Sequence, residues 1–97
     1  MKKTKQFKKT DHFWERAWER SINQVEIDKL LQNVNPKKGK NLMVFGKDKL
    51  REAGIKRPSK THMVIIANNN VLVTIFEVPD LFYYLKRNIS KAKIILV

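Results

Sequence analysis

Thr61 to Val78 reads THMVIIANNNVLVTIFEV, two apolar runs joined by Asn68-Asn69-Asn70. Asn tolerates the left-handed backbone of a tight turn, so the stretch is a β-hairpin. Both arms are nearly continuous in β-branched and apolar residues, which places them centrally in a sheet, covered on both faces for part of their length. Upstream, Leu42 to Gly46 (LMVFG) is a further short strand, reached through a loop over Asn33 to Asn41 that holds Pro36, Gly39 and three Lys. Between that strand and the hairpin, KDKLREAGIKRPSK carries six basic residues and one helical turn over Asp48 to Ala53, stopped by Gly54. Downstream, Pro79 and Asp80 break the second arm and open a helix over Leu81 to Arg87. Lys93 to Val97 (KIILV) forms a last strand.

Ahead of the sheet lie two helices. The first starts at Thr10 or Asp11, either of which can cap it, and ends near Arg20 or Ser21. At about 100° per residue His12, Arg16 and Arg20 share one stripe, Phe13, Trp14, Ala17 and Trp18 form the neighbouring apolar arc, and Glu15 and Glu19 point away. Both Trp side chains are expected to anchor this helix on the domain. The second helix has Asn23 as N-cap with Glu26 three residues on, a capping box, and Ile22 placed to staple onto Ile27. Ile27, Leu30, Leu31 and Val34 recur at helical spacing as its buried face. The fold class is therefore α+β: two N-terminal helices packed on a twisted, mainly antiparallel sheet of about four strands, with an extra helix before the last strand. Residues 1–97 make a single domain, in which 1–9 form a flexible basic arm and 10–97 the globular part.

Twenty-one Lys and Arg against nine Asp and Glu give a formal net charge of +12. Such an excess repels itself, and binding a polyanion offsets that cost. Nucleic acid is the first candidate partner; an anionic membrane surface and a merely solubilising charge are the alternatives. The chain has no Cys, which excludes disulfides, thiolate metal sites and a Cys nucleophile. MKKTKQFKK is positive like the start of a signal peptide, but no apolar run follows, and no stretch is long enough to span a bilayer. Its five Lys can lie along a phosphate backbone or form a solvated tail.

RNA is cleaved without a metal when a base takes the 2′-OH proton, an acid protonates the leaving 5′-oxygen, and cations hold the charge that develops on the phosphate. His, Arg and Lys supply those roles. A metal-dependent nuclease needs clustered carboxylates, and the acids here are scattered; Glu77 and Asp80 are the nearest pair and read as cap and rim residues. No metal and no cofactor are expected. His12 is the candidate general acid or base, against the plainer reading of a helix-start His in an ordinary hydrogen bond. Arg16 and Arg20 can clamp a phosphate or pair with the helix glutamates. His62 is a candidate second proton carrier or a structural strand-start residue. Thr74 is either satisfied locally or bonds a phosphate oxygen. Lys47, Lys49, Arg51, Lys56, Arg57 and Lys60 would position RNA rather than cleave it. Tyr83 or Tyr84 could stack on a base, with core packing the simpler role for Tyr84.

HFWERAWERSINQVEIDKLL, residues 12 to 31, resembles the N-terminal helices of small ribonuclease toxins in the barnase–EndoU–colicin–RelE superfamily, whose phage-borne and toxin-system branches read H-x-x-x-R-x-x-E-R-G-I. This chain has Ser21 where that pattern has Gly. The resemblance implies a twisted antiparallel sheet after the two helices and a metal-independent endoribonuclease that leaves a 2′,3′-cyclic phosphate on RNA, tRNA among the substrates. Taken with the residue readings above, it gives a candidate site of His12, Arg16, Thr74 and His62, with RNA held by Arg20, Lys47, Lys49, Arg57 and Lys60. It further implies an acidic immunity protein or antitoxin as partner, no membrane, and action in the cytoplasm of the producing or a target cell, with delivery in a larger secreted polypeptide open. The alternative is a non-catalytic RNA- or DNA-binding module.

Overall fold

A computed structural model describes residues 7–32, 34, 35, 37–56, 61–79, 81–88 and 93–96. Its elements run β1 (Lys8–Lys9), α1 (Asp11–Glu19), α2 (Gln24–Leu31), β2 (Lys40–Phe45), α3 (Lys47–Glu52), β3 (His62–Asn68), β4 (Val71–Val78), α4 (Leu81–Asn88) and β5 (Lys93–Leu96). The strands form one sheet in the order β1-β4-β3-β2-β5. The hairpin arms β3 and β4 are interior strands, antiparallel to each other, and β2 runs antiparallel to β3. The two edges are parallel additions: β1 beside β4, and β5 beside β2. The sheet is thus mixed and five-stranded, where the sequence leads one to expect about four mainly antiparallel strands.

Local chemistry sets the joints. Asn69 and Asn70 both have positive φ, 50° and 70°, the geometry of a two-residue type I′ hairpin turn. Thr10 caps α1 by accepting the Phe13 N–H at 3.0 Å. Asn23 and Glu26 close the reciprocal capping box of α2, and the staple residues Ile22 and Ile27 are both buried in the core. At the end of α1, Ser21 N–H donates to Trp18 O at 3.0 Å and Ile22 N–H to Ala17 O at 2.9 Å, the paired bonds of a Schellman ending. Ser21 takes φ +58° there. The end of α3 repeats the motif with Gly54, φ +85°, at the equivalent position.

The sheet separates two apolar clusters. On one face Met43, Phe45, Met63, Ile65, Ala67, Leu72 and Ile75 pack with Phe13 and Ala17 of α1, Ile27, Leu30 and Leu31 of α2, and Leu50 of α3. On the other, Leu42, Val44, Val64 and Val78 pack with Leu81, Tyr84 and Leu85 of α4. The alternation of β2 and β3 between the clusters is why Leu42 to Phe45 and Met63 to Ala67 are apolar at every position. A bulge breaks the alternation of β4: Ile66 pairs with Thr74 but Ala67 with Leu72, leaving Val73 as the extra residue.

Three local expectations are corrected. Residues 7 to 9 are no free arm, since Phe7 packs on the core and β1 pairs with β4; residues 1–6 lie outside those described. β2 begins at Lys40, inside the stretch expected to be loop. Trp18 anchors nothing, being 84% exposed, and the burial falls to Phe13 and Ala17 with Trp14 packed beside them. Helix α1 thus turns its Phe13–Ala17 stripe, not Trp18, into the cluster that also holds Leu72 and Ile75 of β4.

Candidate nucleic-acid interface

Along α1, His12 is exposed, and the Arg16 Nε–H donates to its Nε2 at 3.5 Å, the outer limit of a hydrogen bond. Glu19 does not point away from this stripe. Its carboxylate lies 2.9 Å from Arg16 Nη1 and 3.7 Å from Arg20 Nη1, so one acid sits between the two guanidinium groups. The pairs are solvent-exposed and of little energetic weight, but they divert the Arg forks from an incoming phosphate.

Thr74 and His62 stand elsewhere. Thr74 faces the same way as its cross-strand partner Ile66, which packs with the α4 cluster, and His62 faces the same way as its partner Val78 in that cluster. Helix 1 packs on the opposite face through Phe13 and Ala17. The sheet therefore lies between His12 with Arg16 and Thr74 with His62; the four candidate catalytic residues are not gathered at one place. The His62 imidazole lies over Gly46, where an added Cβ would be 3.8 Å from Cδ2, and its buried Nδ1 has no hydrogen-bond partner among the described residues.

Of the basic segment expected to position RNA, Lys47 and Lys49 open α3 at the Phe45 end of β2. Lys49 is 3.8 Å from Glu52 and Arg51 3.7 Å from Asp48, again i to i+3 pairs on an exposed helix. Arg57 and Lys60 lie outside the described residues, as do Asp80 and the Tyr83 side chain. Tyr84 packs edge-on against Phe76, ring centroids 5.5 Å apart, and its burial raises the hydroxyl pKa.

A second basic region gathers at the other end of β2. Lys40 starts that strand opposite Asn68, and Lys37 and Lys38 precede it in a loop tied to the hairpin turn. Gly39 N–H donates to Asn69 Oδ1 at 2.8 Å and Asn69 N–H to Gly39 O at 3.0 Å. The buried Asn41 braces the same loop by accepting the Lys37 N–H at 2.9 Å. Lys8 joins from β1, its N–H donating to Asn70 O at 2.9 Å. From the sequence the three lysines read only as part of a loop, and Lys8 as part of a flexible arm. A two-residue strand shows no periodicity, so nothing local reveals what Lys8 lies beside.

Among the described residues no group of three or more His, Asp or Glu could hold a metal ion, and no helix is long and apolar enough to cross a membrane. The chain matches no family model, no curated protein and no solved structure.

Proposed function

We propose that this domain is a non-catalytic RNA-binding module. The observation that carries the reading is how charge is distributed among the described residues of a chain whose formal net charge is +12. Carboxylates sit on α1, α2 and α3, where Glu19, Asp28, Asp48 and Glu52 each pair with a nearby cation. The five strands hold one carboxylate, Glu77, while Lys8, Lys37 and Lys40 collect at the hairpin-turn end. Charge left over after local pairing is what a polyanion neutralises. In chelator, total RNA should be retarded intact on a native gel and released as salt rises. Absence of retardation at low salt would dismiss the reading.

One observation supports a second reading, metal-free RNA cleavage centred on α1: the exposed His12 imidazole lies beside the Arg16 guanidinium. In such a site His12 would move the proton and Arg16 would hold the phosphate. Fragments with 2′,3′-cyclic phosphate ends, formed in chelator and absent with His12→Ala, would replace the binding module by a ribonuclease. That outcome would also call for an acidic inhibitor in the producing cell.

A further inference from the structure

We infer that a single strand of RNA crosses the exposed hairpin-turn end of the sheet on the face shared with α4, along the row Lys8, Val71, Asn68, Lys40. The inference rests on the RNA-binding reading and gives it a surface. Register makes the row. Lys8 is in register with Val71, Val71 pairs with Asn68, and Asn68 pairs with Lys40, so the four side chains project from the same face of four adjacent strands. The face is fixed by alternation: Leu42, two residues after Lys40, belongs to the α4 cluster, whereas Phe7, one residue before Lys8, packs in the other. With neighbouring strands about 4.8 Å apart, three steps place the two lysine positions roughly 14 Å apart.

The chemistry of the row fits a phosphodiester chain. Lys8 and Lys40 are exposed and make no ion pair among the described residues. The exposed Asn68 amide between them can donate as well. Val71 in the row and Val73 at the bulge, 38% exposed, offer apolar contact to a sugar or base. Thr74, opposite Ile66 and half-buried, lies in the next row on this face. The one strand carboxylate, Glu77, is opposite Met63, far along β4 from the row, so nothing acidic on the strands opposes an anion here. Lysines at both ends of a line, rather than spread around an apolar tip, favour a chain of charges over a lipid surface.

The test uses the full chain and a fluorescein-labelled ten-nucleotide RNA, with anisotropy read from low to moderate salt. Lys8→Gln/Lys40→Gln should weaken binding by roughly tenfold or more at 0.1 M salt and flatten the log K against log salt slope by about 1.4, about 0.7 per lost single-strand contact. Lys29→Gln removes the same kind of charge from the exposed surface of α2 and should leave the slope unchanged. Both lysines of the row are exposed, so denaturation midpoints should match the parent. An unaltered slope in the double variant, with the parent binding normally, overturns the row and leaves the RNA-binding reading standing. Equal losses from Lys29→Gln also overturn it, since charge alone would then suffice. A parent that binds no RNA fails both. Binding to phosphatidylserine vesicles lost in the double variant, without RNA binding, assigns the row to a membrane surface instead.

Discussion

The Thr10 hydroxyl donates to the Leu72 carbonyl at 3.0 Å while accepting the Phe13 N–H at 3.0 Å. One side chain thus caps α1 and fastens its first turn to β4, just after β1 has paired with the same strand. The start of the helix, the edge strand and the hairpin are held through a single residue. Thr10→Val keeps the branched shape and loses both bonds, and should cost about 1–2 kcal/mol. Thr10→Ser should stay close to the parent. Urea denaturation of the three proteins checks this, and equal midpoints would show that the hydroxyl holds nothing.

Ser21 occupies a left-handed position, φ +58°, that glycine adopts without steric cost. Ser21→Gly should raise stability by about 0.5–1 kcal/mol, the relief of backbone strain exceeding the added freedom of the unfolded chain. Ser21→Val should lower it. Thermal midpoints moving in the opposite order would mean that α1 does not end in the Schellman geometry.

Phe13 and Trp18 lie on one helix with opposite weights, the first fully buried and the second 84% exposed. Phe13→Ala should cost about 3–5 kcal/mol and leave the domain barely folded. Trp18→Ala should change stability by no more than about 0.5 kcal/mol. The intrinsic fluorescence of Trp18 should be red-shifted and readily quenched by iodide in the native protein. A blue-shifted, protected signal from a Trp14→Phe variant would contradict the exposure.

Glu19 sits between Arg16 and Arg20, so Glu19→Gln releases both guanidinium groups from it. Stability should move by less than about 1 kcal/mol, as for exposed pairs generally. With RNA held on the sheet face, affinity should rise only through the one-unit gain in net charge, and the salt slope should stay put. A steeper slope in this variant would bring α1 into the interface.

Burial raises the Tyr84 hydroxyl above its ordinary pKa of 10.0. The unfolded chain therefore gives up this proton at lower pH than the folded one, and between the two values the folded state binds more protons. The group leaves stability unchanged below about pH 10 and lowers it as pH rises beyond. Tyr84→Phe should lose stability less steeply than the parent as pH rises above about 10. Parallel denaturation curves above that pH would remove the phenol from the account.

Much of the local structure was legible in the residues themselves. The capping box at Asn23 and Glu26, the Asn69-Asn70 turn, the stop at Gly54 and the apolar face of α2 each depend on contacts a few residues apart, and such contacts are written in the spacing. Which face of the sheet each residue meets depends on pairings across tens of residues. The Val73 bulge shifts register, and with it Thr74 ends opposite Ile66 on the α4 side, away from His12. Charge content was equally plain in the composition. Its placement was only partly so: the Glu19 pairs with Arg16 and Arg20 are local to one helix, whereas Lys8 reaches the row with Lys40 only because β1 and β2 join the same hairpin from its two sides. Sequence by itself determined an α+β domain with a central hairpin, two capped helices and a cationic surplus. Tertiary structure alone decided the edges, the faces and hence the neighbours of each strand residue, because strand pairing is a long-range contact that no local periodicity encodes.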